Sequence, residues 1–271
     1  MPKLGLVHCN TPGSTLVEFF RWAADTGFEF VELTPPDVVV DDPVGEPSLE
    51  QAARVRKLAH SYGLRVSAFA ARNDFVVLDS GVIDFQVARM RRVAEITRAL
   101  DEEAVIRSEG GAEKESVPRE RWADTMTGCF ERCTSFLDEL GVDLAIDNHG
   151  TVSNDGDVLL EVLRRVNHPR IGANLDTMNF LWYGNDLPTC NRYYRELAPF
   201  VKHTHIKDGR GVRSEYVGEV LGEGQIDLAY ALACLKDAGY TGAYNAEYEG
   251  KQTEDGAGYA KCLRWMREHI L

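Results

Sequence analysis

The chain has 271 residues, of which 44% are hydrophobic and 27% are charged; this is typical of a globular protein and excludes a disordered one. The length suits one large domain or two ordinary ones, and it is sufficient to bury a core without disulfides or a structural metal. The formal net charge of −13 argues against an overall basic surface for nucleic acid or anionic lipid.

Short β-rich runs alternate with amphipathic runs of helical period from one end of the chain to the other. Strands are predicted at 4–9, 28–33, 64–70, 104–109, 142–147, 171–176, 201–206 and 242–247. Helices are predicted near 15–26, 48–62, 84–100, 117–140, 155–166, 189–198, 227–238 and 255–269. Capping boxes at 15–18 and 48–51 mark two helix starts. A left-handed residue is favoured just past a helix, and glycine stands there at Gly27, Gly63, Gly141 and Gly239.

Eight strand–helix units in one chain predict a single (β/α)₈ TIM barrel that spans residues 1–271. The competing fold is a doubly wound sheet, which usually carries a glycine-rich phosphate loop after an early strand. Neither GxGxxG nor GxxxxGK[ST] occurs in this chain, so the barrel is favoured. No linker or change of composition divides the sequence, and we therefore expect one domain.

Two connections stand out by their composition. Residues 34–47 contain four prolines and several acids, and they are predicted to form a loop over the mouth of the barrel. Residues 180–183 form an aromatic cluster in a second predicted loop, which would line the floor of a pocket or a contact between subunits.

Polar residues of one parity recur where the predicted strands end. In a TIM barrel the chemistry gathers at the carboxyl ends of the strands, so such residues should converge there. The later strands end with Asp147 and His149, Asn174 and Asp176, His203, His205 and Lys207, and Asn245, Glu247 and Glu249. The earlier strands add Glu32, Arg72, Arg107 and Glu109.

Four successive strands thus end with a carboxylate, a carboxylate, an imidazole and a carboxylate. Unpaired carboxylates in a barrel mouth would repel one another and would be costly to desolvate, and a divalent cation removes both problems. Oxygen-rich ligation with one imidazole suits Mn²⁺ or Mg²⁺, with Co²⁺ and Zn²⁺ as alternatives. His203 is expected to be a hydrogen-bonded residue deeper in the barrel, and Glu249 a loop carboxylate or an outer partner.

Several segments resemble the sugar phosphate isomerase/epimerase superfamily, the xylose-isomerase-like TIM barrels. They are 145–150, 172–177, 203–208, 221–227 and 240–249, which include the HxKD and EYE motifs. The resemblance implies one divalent ion, often Mn²⁺, held by Asp147, Asp176, His205 and Glu247. It also implies substrate contacts from His149, Lys207, Glu32 and Arg107, and we expect Glu109 and Asn174 to join them.

The chain departs from the pattern of that superfamily at two positions. The superfamily usually has a glutamate where Asp147 stands, and its keto-sugar epimerases often have a histidine at the position of Asn179. The shorter side chain of Asp147 moves its oxygens by about 1.5 Å, which matters for the reach of a proton-transfer group.

The leading hypothesis is a metal-dependent isomerase or epimerase that acts on a keto sugar or related polyol through an enediolate. Glu247 is the candidate base and Asp147 would face it across the ring, with His149 or Lys207 available for the second proton transfer. The alternative is a lyase or dehydratase of the inosose-dehydratase or C-glycoside-cleaving type, in which His149 or Lys207 acts as the general acid.

Two other functions are less favoured. A nuclease of the endonuclease-IV type would need a trinuclear zinc cluster and a basic surface, which seven histidines and the acidic charge do not suit. A non-catalytic sugar-binding barrel remains open. The expected partner is a small carbohydrate, with neither nucleic acid nor membrane, and a homo-oligomer is left open.

Cysteine usage and the start of the chain indicate the expected compartment. The six cysteines lack a CxxC motif, residues 1–5 lack the pattern of a secretory signal, and no apolar run is long enough for a membrane span. A reducing cytoplasm is therefore the expected location.

Overall fold

The computed structural model describes residues 2–39, 47–251 and 255–270, and a ring of parallel strands lies at its centre. The described strands are β1 (Lys3–Val7), β2 (Phe30–Leu33), β3 (Arg65–Ala70), β4 (Val105–Ser108), β5 (Leu144–Asp147), β6 (Ile171–Asp176), β7 (Val201–Ile206), β8 (Asp208–Arg210), β9 (Val217–Glu219) and β10 (Ala243–Ala246). Eight of them close into a barrel in the order β1–β10–β7–β6–β5–β4–β3–β2. The predicted (β/α)₈ TIM barrel is confirmed, and each barrel strand lies within two residues of its predicted bounds.

Helices connect the barrel strands and surround them. The described α-helices are α1 (Leu16–Thr26), α2 (Pro35–Val38), α3 (Leu49–Ser61), α4 (Ser80–Leu100), α5 (Trp122–Leu140), α6 (Gly156–Val166), α7 (Asn179–Tyr183), α8 (Leu187–Leu197), α9 (Leu228–Asp237) and α10 (Ala257–His269). Both predicted capping boxes are present, at the starts of α1 and α3. Within the described residues, no helix combines the length and the apolar character needed to cross a membrane.

Four local predictions were wrong or incomplete, the first being the helix predicted near 117–140, which begins at Trp122 as α5. Residues 179–183 form helix α7 rather than a loop, because Phe180 is buried against the rings of Tyr193 and Tyr194. Helix α4 starts at Ser80 rather than near 84, because the Asp79 side chain accepts the Val82 N–H and caps the earlier turn. The predicted loop at 34–47 begins with helix α2, and its residues 40–46 lie outside the described residues.

An antiparallel hairpin of β8 and β9 follows β7 and was not predicted. Its strands have three residues each, too short for an alternating pattern to be recognised. Asp208 anchors it, because its carboxylate accepts backbone N–H groups from Gly209, Gly222, Gly224 and Ile226. The hairpin and the loop at 222–226 are thereby held beside the end of β7.

The barrel interior contains polar side chains as well as apolar ones. Ser67 on β3 bonds Asn245 on β10, and Glu32 on β2 bonds His205 on β7. Neither pair of strands is adjacent in the ring, so these contacts cross the interior. The apolar core lies mainly between the outer surface of the barrel and the helices, as expected for a parallel sheet that is covered by helices.

Gly5 on β1 leaves the room that Asn245 occupies inside the barrel. A Cβ atom at Gly5 would lie 2.2 Å from Asn245 Oδ1 and 3.0 Å from the Phe30 carbonyl oxygen. We expect Gly5→Ala to lower the free energy of unfolding by about 1–3 kcal/mol, the usual cost of overpacking, in urea denaturation.

The matched control is Gly128→Ala, because a Cβ atom at Gly128 in α5 meets no atom within 4 Å. It is expected to be neutral, or to stabilise α5 by up to about 1 kcal/mol. Equal unfolding midpoints for the two variants would contradict the close fit at Gly5.

Candidate active site and metal centre

Three of the predicted metal ligands meet at the carboxyl end of the barrel. One ligand atom from each of Asp176, His205 and Glu247 lies within 4.8 Å of the others. His205 Nδ1 is 3.0 Å from Glu247 Oε2 and 3.9 Å from Asp176 Oδ2. The register of the strands explains the meeting, since Asp176 and His205 are paired across β6 and β7 and the Glu247 N–H bonds the Ile206 carbonyl.

Asp176 carries a buried oxygen that lacks a hydrogen-bond partner among the described residues. Its Oδ1 atom accepts the backbone N–H groups of Met178 and Asn179, while Oδ2 accepts none. Burial raises the pKa of Asp176 to about 8, and the nearby Glu247 contributes to the rise, while Lys207 and His205 oppose it. An open carboxylate oxygen between an imidazole nitrogen and a second carboxylate is a donor set that fits a divalent cation.

Glu32 orients His205 toward that oxygen. The fully buried Glu32 carboxylate lies 2.7 Å from His205 Nε2 and 2.6 Å from Arg107 Nε. Burial opposes the charge of Glu32, but His205 and Arg107 outweigh it and lower its pKa to about 2. A hydrogen bond from Nε2 to a carboxylate leaves Nδ1 directed at Glu247 and Asp176, the arrangement in which proteins present histidine to a metal.

A second group of possible ligands, Glu32, His203 and His205, shares the same imidazole. Arg107 already compensates the negative charge of Glu32 in this group. Both ring nitrogens of His203 contact amide groups, those of Asn174 and Asn245. Burial lowers the pKa of His203 to about 4, so its imidazole is neutral. This confirms His203 as a hydrogen-bonded residue of the barrel interior, and the group does not suit a cation.

Asp147, the fourth predicted ligand, lies beside the cluster. Its Oδ2 atom is 4.0 Å from His205 Nδ1 and accepts a hydrogen bond of 3.0 Å from Arg107. Its Oδ1 atom accepts a hydrogen bond of 2.7 Å from Asn174. Both oxygens therefore already have donors, and Asn174 contacts Asp147 directly.

Lys207 lies among three carboxylates. Its Nζ atom is 2.8 Å from Glu249, 3.3 Å from Glu247 and 3.8 Å from Asp176. Burial opposes the charge, but Glu247, Asp176 and Glu249 together raise the pKa of Lys207 well above its usual value. Lys207 is thus a protonated donor beside Glu247, rather than a free amine.

His149 and Glu109 lie on the far side of the mouth from Glu247. His149 Nδ1 is 3.6 Å from Glu109 Oε2 and 3.9 Å from Asp147 Oδ2, and 59% of the His149 side chain is exposed. Glu109 follows β4, which is four strands from β10 in either direction around the ring. The two groups of side chains therefore approach the mouth from opposite sides.

Sequence reasoning missed three residues that shape the site. Thr177 Oγ1 accepts the Lys207 N–H and donates to the Lys207 carbonyl, which fixes the end of β7. Asn73 Oδ1 accepts the Ser108 hydroxyl and the Glu109 N–H, while Asp208 anchors the hairpin. Asp208 and Thr177 carried a signal, as the last residues of the HxKD motif and of the segment 172–177, whereas Asn73 carried none.

Two arginines that would be suitable phosphate ligands are already paired. Arg210 contacts Glu219 and the Glu223 carbonyl on the hairpin. Arg107 is paired with Glu32, Glu109 and Asp147.

Comparison with known proteins identifies the barrel type. Residues 20–269 match the family of xylose isomerase-like TIM barrels. No curated protein matches the chain in sequence.

Solved structures with similar folds share 12–20% sequence identity with this chain. An IolI protein with a bound zinc atom has a TM-score of 0.79 at 16% identity, covering 99% of this chain and 98% of its own. A D-tagatose 3-epimerase-like protein has a TM-score of 0.78 at 17% identity, with coverage of 99% and 97%. The 3-keto-D-glucoside 4-epimerase YcjR from E. coli has a TM-score of 0.77 at 12% identity, with coverage of 99% and 100%. At these identities the likeness concerns the fold alone.

Arg107 compensates the buried charges of Glu32 and Asp147, and its removal leaves Glu32 with His205 and Asp147 with the neutral donor Asn174. We expect Arg107→Met to lower the free energy of unfolding by about 3–5 kcal/mol in urea denaturation with a chelator present. In a Glu32→Gln background the same substitution should cost less, because one of the two buried charges is gone. An equal cost in both backgrounds would contradict the pairing of Arg107 with Glu32.

Proposed function

The chain belongs to the xylose isomerase-like TIM barrel family, and we propose that it is a divalent-metal-dependent isomerase or epimerase of an uncharged keto sugar or related polyol, working through an enediolate. The observation that carries this proposal is the buried Oδ2 atom of Asp176, which accepts no hydrogen bond from the described residues and lies 3.9 Å from His205 Nδ1. Among the relatives by fold, a bound zinc atom in the IolI protein and the named sugar epimerases agree with it.

Asp176, His205 and Glu247 would hold the cation, with Asp147 as the adjacent fourth ligand. The oxygen-rich set favours Mn²⁺, with Mg²⁺, Co²⁺ or Zn²⁺ as alternatives. A cation bound there supplies Lewis-acid polarisation of the substrate carbonyl. Glu32 would keep His205 in the tautomer that directs Nδ1 to the ion.

Glu247 is the proposed base that removes the proton beside the carbonyl. Burial disfavours its charge, but Lys207 and His205 lower the pKa of Glu247 well below its usual value, so it is ionised. Its side chain is 15% exposed, enough to reach a bound substrate from the mouth. Lys207 Nζ, 3.3 Å from Glu247 Oε1, holds the carboxylate in place.

His149 is the proposed proton-transfer group for the opposite face. Asp147 is a weak candidate for that role because Asn174 and Arg107 donate to its two oxygens. His149 instead has an exposed imidazole on the far side of the mouth, and Glu109 can compensate its charge at 3.6 Å. An epimerase needs one group on each face of the reacting carbon, and this pair of positions provides them.

The charges around the mouth favour a substrate without phosphate. Six carboxylates lie there: Glu32, Glu109, Asp147, Asp176, Glu247 and Glu249. The buried cations Arg107 and Lys207 are each within ion-pair distance of at least two of these carboxylates. A phosphate group would meet this negative field without an unpaired buried cation among the described residues. A free keto sugar, a keto-cyclitol or a keto-glycoside is the proposed class.

A lyase or dehydratase is the second candidate, and the position of Lys207 favours it. A protonated amine beside the base Glu247 places acid and base on the same side of the substrate. That arrangement suits a syn elimination, in which Lys207 protonates the leaving oxygen after Glu247 has taken the proton.

Metal content tests the cation site. In protein purified without chelator or reconstituted with Mn²⁺, we expect nearly one divalent ion per chain by plasma mass spectrometry. Asp176→Asn and Glu247→Gln should lose it, because each removes a charged ligand, and Glu249→Gln should retain it as the matched control. A parent protein that takes up no ion would contradict the proposal.

Deuterium incorporation from D₂O distinguishes proton transfer at the two faces of the substrate. The product formed distinguishes the epimerase from the lyase. With free ketoses, keto-cyclitols and 3-keto-glycosides, we expect the parent to incorporate deuterium beside the carbonyl and to form the epimer, as followed by NMR. Glu247→Gln should abolish both, whereas His149→Gln should retain incorporation at one face and lose the epimer.

An unsaturated ketone as the product would favour the lyase over the epimerase. Unchanged epimer formation by His149→Gln would contradict the assigned role of His149. Phosphorylated counterparts of the same sugars should be poorer substrates, and a preference for them would contradict the uncharged class.

A further inference from the structure

A buried chain of hydrogen bonds crosses the barrel interior and ends on Asp147. Ser67 on β3 donates to Asn245 Oδ1 on β10 at 2.9 Å, and Asn245 Nδ2 lies 2.9 Å from His203 Nε2 on β7. His203 Nδ1 lies 2.9 Å from Asn174 Oδ1 on β6, and Asn174 Nδ2 donates to Asp147 Oδ1 at 2.7 Å. Each side chain in this chain is at most 5% exposed.

The direction of every bond follows from the charge of Asp147. A carboxylate only accepts, so Asn174 must turn its NH₂ group to Asp147 and its oxygen to His203. That oxygen also only accepts, so the His203 proton must sit on Nδ1. The neutral imidazole then accepts at Nε2, and Asn245 must present its NH₂ group there and its oxygen to Ser67.

The chain determines which oxygen of Asp147 faces the proposed cation. Asn174 holds Oδ1, so Oδ2 is the atom that lies 4.0 Å from His205 Nδ1 and 3.0 Å from Arg107. Without the Asn174 donor, the carboxylate would be held only through Oδ2 by Arg107 and would rotate more readily about its last bond. Asp147 is one methylene shorter than glutamate, so a rotation would more readily move Oδ2 out of reach of the proposed cation.

We propose that His203 is a positioning residue, which acts through Asn174 to hold the Asp147 carboxylate toward the metal site. This inference rests on the proposed function, since it requires a cation between Asp176, His205 and Glu247. His203 itself touches neither the cation nor the substrate. Its contribution is the Nδ1 proton, which prevents the Asn174 amide from turning its oxygen to Asp147.

Binding of Co²⁺ to the metal-free protein tests the proposal without an activity assay. The visible absorption of Co²⁺ reports its ligands, and titration gives the dissociation constant. We expect His203→Gln to weaken Co²⁺ binding by about 10- to 100-fold, the usual effect of losing an outer partner of a ligand, and to change the spectrum as Asp147→Asn does. His203→Asn should bind Co²⁺ with close to parental affinity, because the asparagine amide can occupy the position of Nδ1 and donate to Asn174.

Two further variants keep the test valid if His203→Gln does not fold. Asn174→Leu removes the donor to Asp147 at similar volume and should reproduce the weaker binding and the altered spectrum. Ser67→Ala removes the far end of the chain and should leave both unchanged. Circular dichroism and the melting temperature of the metal-free variants show which of them are folded.

The outcomes separate this inference from the proposed function. A parent protein that binds no Co²⁺ overturns both. A parent that binds Co²⁺, together with folded His203→Gln that binds it with parental affinity and spectrum, overturns only the positioning role. The positioning role of His203 is also overturned if Asn174→Leu changes the affinity for Co²⁺ and the spectrum while folded His203→Gln changes neither.

Discussion

Balancing buried negative charge is the constraint on which this site depends. Glu32, Asp147 and Asp176 are fully buried at the carboxyl end of the barrel, where an uncompensated carboxylate is costly. Arg107 compensates Glu32 and Asp147, and Lys207 compensates Glu247 and Glu249. Asp176 alone retains an oxygen without a donor among the described residues. The proposed cation completes the balance at that oxygen.

The same charges divide the mouth of the barrel into two sides. On one side, Lys207 holds Glu247 beside Asp176 and His205. On the other side, His149 and Glu109 stand near Asp147, whose oxygens are held by Arg107 and Asn174. In the proposed mechanism, Asp147, which stands where the resembled superfamily usually has a glutamate, is a fixed carboxylate, and His149 would supply the second proton-transfer group.

Much of the fold could be predicted from the sequence, because buried parallel strands are short apolar runs with strong helix caps between them. All eight barrel strands were located, whereas α7 and the β8–β9 hairpin were not. The position of α7 depends on the packing of Phe180 against α8, and the hairpin depends on the backbone contacts of Asp208. Neither interaction leaves a periodic pattern in the chain.

Strand parity likewise predicts that four residues lie at one end of the barrel, and the structure places them there: Asp147, Asp176, His205 and Glu247. Parity could not predict which donor each oxygen would accept, because the partners lie on strands that are distant in the ring. The contact of Glu32 with His205 joins β2 and β7. The chain from Ser67 to Asp147 depends on space that Gly5 leaves beside Asn245.

Anomalous diffraction from crystals grown with Mn²⁺ would test the central claim most directly, since it locates the ion independently of any activity. The account predicts one strong peak at coordination distance from Asp176 Oδ2, His205 Nδ1 and the Glu247 carboxylate. A peak between Glu32 and His203, or no peak at the carboxyl end of the barrel, would contradict it.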